Sequence, residues 1–229
     1  MNEKAKRYLI YGIIGGILTM IGDCLLLGVD SNGVTAGLDK YAFIAQKISY
    51  TRIGLAGSFG FVGIPITVYG FYVLYMCLTD KESLAARLYR ASLFGYAALG
   101  GAVHIICCYI VTGIKKDLEV GTENLLNTVL IEQGGYIIPS LGVFLVFYLI
   151  SVVTMIVLIA GNKTFLSRWM WILNPLTFKI LINVIGRMGS GAVANGIACS
   201  NMSLGAIIIF AVWRLVLEKN GKGKKQLRS

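Results

Sequence analysis

The sequence predicts an all-α fold: a polytopic transmembrane helix bundle of about six spans, with both termini cytoplasmic. Three observations predict it. Charged residues make up 14% of the 229-residue chain, against about 25% in an ordinary soluble domain. The mean hydropathy is +0.75, and the missing charge falls in discrete blocks, each near the roughly 20 apolar residues that cross a bilayer. Within the blocks the apolar residues are near-continuous rather than alternating. Of the two structures that satisfy their backbone in lipid, helices are therefore expected over a barrel.

The first span covers 8–29. The basic stretch MNEKAKR precedes it, and its apolar run exceeds the core of a signal peptide, so a retained span is expected. The second, 53–78, carries Gly54, Gly57, Gly60 and Gly63 at steps of three, then Pro65. Such a cluster admits a close backbone or a ligand, and Pro65 removes a helix donor. Tyr69, Tyr72 and Tyr75 follow, to line a cavity or the inner interface. The third and fourth spans are 91–114 and 136–160. The fifth, 169–188, is the least apolar, holding Asn174, Pro175, Lys179 and Asn183; a re-entrant segment is its alternative. The sixth is 192–217.

Counting Lys and Arg by span end gives 14 on one side and 6 on the other, with Lys179 inside a span. The positive-inside bias then sets both termini in the cytoplasm of a cell-membrane protein. Two long connections fall outside. In 31–51, Tyr41, Ile44, Ala45 and Ile48 follow helical spacing. In 115–135, Leu125, Leu126, Val129 and Leu130 do the same before Gly134. Each reads as an interfacial helix or a cap over a cavity. Residues 1–218 form a single transmembrane domain, and 219–229 a basic tail expected to be disordered. The net charge of +10 lies mostly in connections and tail, so it reads as topology facing anionic headgroups, not as nucleic-acid binding. The five cysteines sit in apolar segments without a C-x-x-C pair and read as small hydrophobes.

Ionisable side chains inside apolar segments are costly, which makes each a functional-site candidate. At 1.5 Å per residue, Asp23 lies roughly 22 Å above the cytoplasmic start of its span, His104 roughly 20 Å, Asn183 roughly 21 Å and Asn201 roughly 24 Å. Four helices thus present polar groups at one level. Gly12, Gly16, Thr19 and Asp23 share a face. So do Gly100, His104 and Cys108, and so do Pro175, Lys179, Asn183 and Arg187. His104 is the only histidine, so a multi-histidine metal site is excluded and no metal is expected. It is open to proton chemistry or to a satisfied buried role. Lys179 can snorkel, pair with Asp23 or act chemically. Arg187 reads as an anion ligand or an interfacial anchor, and Glu132 as a partner of Asp23 in acid–base work or a solvated side chain. No P-loop, dinucleotide fingerprint, HExxH or nucleophile elbow is present, and no cofactor is named.

The stretches from Gly15 to Asp23 and from Val68 to Tyr72, with the lone His104, resemble an uncharacterised family of small multi-pass prokaryotic integral membrane proteins. That resemblance implies membrane location. Gly12-x-x-x-Gly16 is similar to the small-residue surface that substrate-binding subunits of energy-coupling-factor transporters use to meet their partner, which would imply six helices with both termini inside. The expected function is binding or translocation of a small molecule at an outward-facing polar cavity, with Asp23, His104 and Asn183 as ligand groups and Lys179, Arg187 and Asn201 beside them. The alternatives are an intramembrane enzyme on a lipid or isoprenoid substrate, using Asp23, His104 and Glu132, and a non-catalytic subunit meeting a partner or second copy through Gly-rich faces.

Overall fold

The computed structural model describes residues 3–31, 33–34, 37–121, 134–189 and 191–226. They form eight α-helices and one 3-10 turn, with no strand among the described residues. The helices are α1 (Glu3–Leu27), α2 (Gly37–Lys47), α3 (Tyr50–Met76), α4 (Leu84–Val120), α5 (Gly134–Ala160), α6 (Pro175–Gly186), α7 (Ala192–Cys199) and α8 (Asn201–Gln226). Five of them, α1, α3, α4, α5 and α8, are long and apolar enough to cross a membrane. The chain is a multi-pass membrane protein.

The fifth and sixth passages are not the continuous helices that 169–188 and 192–217 predict. The fifth is a 3-10 turn, Arg168–Ile172, followed by the twelve-residue α6. Asn174 makes the break tolerable. Its Oδ1 accepts from the amides of Leu176 and Thr177 at 3.0 Å, and its Nδ2 donates to Trp171 O at 3.0 Å. Pro175 occupies the first turn, where its missing N–H is no loss. In the sixth passage the helix breaks at Ser200. Ser200 Oγ donates to Gly196 O at 2.6 Å, Cys199 Sγ lies 3.2 Å from the same oxygen, and Asn201 Nδ2 donates to Ala198 O. Three consecutive polar side chains thus turn back on last-turn carbonyls of α7, where the Gly196 oxygen also accepts the Ser200 amide.

α4 is longer than the predicted span, and Lys115 and Lys116 ride on its extension, which stops at Gly121 with φ +72°. α2 is the amphipathic helix expected in the first connection: Ile44, Ala45 and Ile48 are buried. In the second connection Leu125, Leu126, Val129, Leu130 and Glu132 lie outside the described residues. α8 continues through Gln226.

Around the bundle the packed neighbours run α5, α4, α3, α1, α8, α6. The 3-10 turn joins α5 at one end, and α7 continues the α8 passage beside α1 and α6. α5 and α6, the two ends of this arc, share no packed interface like those joining the other neighbours. One core gathers Ala5 and Leu9 of α1, Leu74 of α3, Leu158 of α5, and Phe210, Trp213 and Leu217 of α8. It places the start of α1 and the far part of α8 at the same end. A second core, with Leu26, Ile44, Ile48, Ile53, Val111 and Ile114, closes the other end under α2.

The glycines of α1 and α3 make their contact. A Cβ on Gly15 would stand 2.3 Å from Thr67 N, and one on Gly63 would stand 2.7 Å from Thr19 N. The Gly12 and Gly16 face meets Gly70, Phe210 and Ile207 of the same chain. This face packs against α3 and α8 within the chain. Tyr69 and Tyr72 meet Tyr8, and Tyr69 also meets Tyr11; Tyr8 and Tyr72 pack against the first core.

Candidate functional site

The arc encloses a cavity of about 530 Å³, lined from every helix. That volume falls within the range of small-molecule sites, about 300–1,000 Å³. Asp23, His104, Lys179, Asn183, Arg187 and Asn201 all line it. Glu132 lies outside the described residues, so nothing places it near Asp23.

Asp23 occupies the last turns of α1 and exposes 18% of its side chain; His104 exposes 8%. His104 Nδ1 lies 3.7 Å from Asp23 Oδ1. This is too long for a direct hydrogen bond and within ion-pair reach when the imidazole carries a second proton. The other ring nitrogen, Nε2, lies 3.1 Å from the carbonyl of Ala56. A carbonyl only accepts, so Nε2 carries a proton and Nδ1 faces the carboxyl group. Two glycines make room for the ring: a Cβ on Gly60 would stand 2.1 Å from His104 Cδ2, and one on Gly22 3.3 Å from Nε2. Asp23 Oδ2 accepts from Ser203 Oγ at 2.9 Å, which ties α1 to α8.

The α6 face follows the predicted spacing. Arg187 Nε donates to Asn183 Oδ1 at 3.0 Å, and one turn further in Lys179 Nζ lies 3.8 Å from Met202 Sδ. α2 covers the outer end with Lys40, Tyr41 and Ile44. Burial draws the Lys40 ammonium below the ordinary lysine range, and the nearby Arg187 adds in that direction. None of Lys40, Lys179 and Arg187 is paired with a carboxylate among the described residues. The inner half is aromatic and aliphatic, with Leu93, Tyr96, Phe144, Tyr148, Val152 and Met155. Tyr148 is 4% exposed, and its buried hydroxyl has no partner among the described residues.

Ser203, Lys40, Tyr148 and Asn195 belong to this site without having been singled out in the sequence. Asn195 Nδ2 donates to Val29 O at 2.6 Å and lies 3.1 Å from Ser31 Oγ, fastening α7 over the end of α1. The cluster Cys199, Ser200, Asn201 and Ser203 inside an apolar span was a usable signal for Ser203. Nothing in the sequence marked Tyr148 among the aromatic residues of α5. Among the described residues, no group of three or more His, Cys, Asp or Glu side chains gathers to hold a metal ion.

The Family of unknown function (DUF6796) matches residues 1–220, so the chain belongs to that family. No curated protein and no solved structure matches it.

Proposed function

We propose that this family member binds or translocates a small molecule at the central cavity, from the outer side of the cell membrane. One observation carries the reading: a proton-bearing pair, Asp23 and His104, stands on the same cavity as three cations that no carboxylate of the described residues neutralises. Ionisable groups at membrane depth are costly, and here their common feature is that they line one space. With Nε2 donating to Ala56, the gap between Nδ1 and Oδ1 repels unless one further proton sits on either atom. The pair therefore acts as a single-proton site, and a ligand that hydrogen-bonds to either group from the cavity competes for that proton. Ser203 holds the second carboxyl oxygen in place while this happens.

The test is ligand-dependent thermal stabilisation of the purified protein against a panel of soluble metabolites and lipids. Stabilisation by at least one compound is expected, lost in Asp23→Asn and in His104→Ala. A panel that leaves the melting temperature unmoved, or a shift retained in both variants, overturns the reading.

A further inference from the structure

We propose that the ligand is an anionic amphiphile: a phosphate or carboxylate head joined to a hydrocarbon tail. The inference rests on the binding reading above and names its chemical class. The first ground is charge. Lys179 and Arg187 share one face of α6 with Asn183 between them, Lys40 closes the space above, and Asp23 is the one acidic residue among those lining the cavity. Cations on a shared cavity wall with no carboxylate partner among the described residues attract an anion, and the guanidinium fork and lysine ammonium suit a carboxylate or phosphate. The second ground is the division of the cavity along its length. The lining on α4 runs from Cys107 to Tyr89, roughly 27 Å of helix. Below His104 that wall and the facing one on α5 are mostly apolar, with Leu93, Phe144, Val152 and Met155 beside Tyr96, Tyr148 and Ser151. A compact hydrophilic anion would leave this half empty of favourable contacts, whereas a chain buries it at about 0.8 kcal/mol per CH₂. The unpartnered hydroxyl of Tyr148 suits a polar atom partway along such a chain. The third ground is access. α5 and α6 are the unpacked ends of the arc, so a lipid-soluble molecule reaches the cavity sideways from the bilayer.

The probes are decyl phosphate and decanoate, set against inorganic phosphate (head alone), decanol (tail alone) and decyltrimethylammonium (charge reversed). Two readouts are used in a neutral detergent. One is the melting temperature. The other is alkylation of Cys107, an exposed thiol on the cavity wall, in a background with the other four cysteines replaced by alanine. Decyl phosphate and decanoate are expected to raise the melting temperature and, at ten times Kd, to slow alkylation of Cys107 about tenfold. The effect is expected to vanish in K179Q/R187Q and in S151F, which fills the inner half, and to persist in K179R. Should either blocking variant fail to fold, the comparison among the five probes decides alone. Equal protection by decanol or decyltrimethylammonium overturns the anionic head; equal protection by inorganic phosphate overturns the tail. Protection by some other soluble compound, with none from the alkyl anions, overturns the amphiphile and leaves the binding reading standing. A cavity that no compound protects overturns both.

Discussion

His104 keeps its place because nothing occupies the space where Gly60 lacks a side chain. The imidazole ring lies where a Cβ would come within 2.1 Å of Cδ2, so α3 and α4 approach closely enough for Nε2 to reach the Ala56 carbonyl. Gly60→Ala forces the ring or the helix to move, and overpacking of this kind costs about 1–3 kcal/mol. A lowered melting temperature and weakened ligand binding are expected together. Gly54 is the control: a Cβ there meets nothing within 4 Å, so Gly54→Ala should be neutral or stabilising by up to about 1 kcal/mol through helix propensity. Thermal melts of the two variants check this; equal destabilisation would refute it. The sequence shows both glycines in one stripe at steps of three, yet a step of three falls short of a full helical turn, so the stripe rotates from open space at Gly54 to the histidine at Gly60. A common level was legible for Asp23 and His104, which lie 3.7 Å apart, because rise per residue is constant along their unbroken helices. Pairing was not: that Ser203 and His104 flank Asp23 depends on how three helices rotate against each other.

Helix ends set the outer boundary of the site, and one of them depends on a single arginine. Arg52 Nε donates to Leu25 O at 2.6 Å, and its Nη2 lies 3.2 Å from both Cys24 O and Gly28 O. Cys24 and Leu25 lie in the last turn of α1, directly after Asp23, and Gly28 just beyond its end, and a cation there also suits the helix dipole. Counting Arg52 as a topology charge is compatible with this, but the hydrogen bonds are its structural role. Arg52→Ala should cost about 1.5–3 kcal/mol, as charged hydrogen bonds do, and loosen Asp23. Lysine should restore only part, since one ammonium cannot reproduce the fork. Chemical or thermal unfolding of both variants measures this; full rescue by lysine would argue against it. The two broken passages were only half legible. Asn174-Pro175 announced an interruption, because proline lacks a donor. The break at Ser200 carries no proline or glycine and arises from side chains competing for backbone carbonyls. The packing of the α1 and α3 glycines against α3, α4 and α8 also leaves little of those faces for an outside subunit.

At the scale of the whole molecule, six passages closed into an arc give the cavity a direction. The aromatic and aliphatic core of Phe71, Phe210 and Trp213, whose rings meet edge to face at 4.7 to 6.4 Å, seals the end that holds both termini. The opposite end is covered by the half-buried Lys40 and by Tyr41 on α2, a single short helix. Ligand exchange is therefore expected at the α2 end or through the α5–α6 side, and not through the sealed core. Charge predicts which compartment this faces: the end with 14 basic residues is expected in the cytoplasm, with α2 outward. Cysteine labelling in intact cells tests it. Asp39→Cys sits at an exposed position of α2, and Glu82→Cys at an exposed position of the α3–α4 connection. An impermeant maleimide should label the first in intact cells and the second only after permeabilisation. The reverse pattern would turn the cavity to the cytoplasm, and the cations of α6 would then await a ligand from inside.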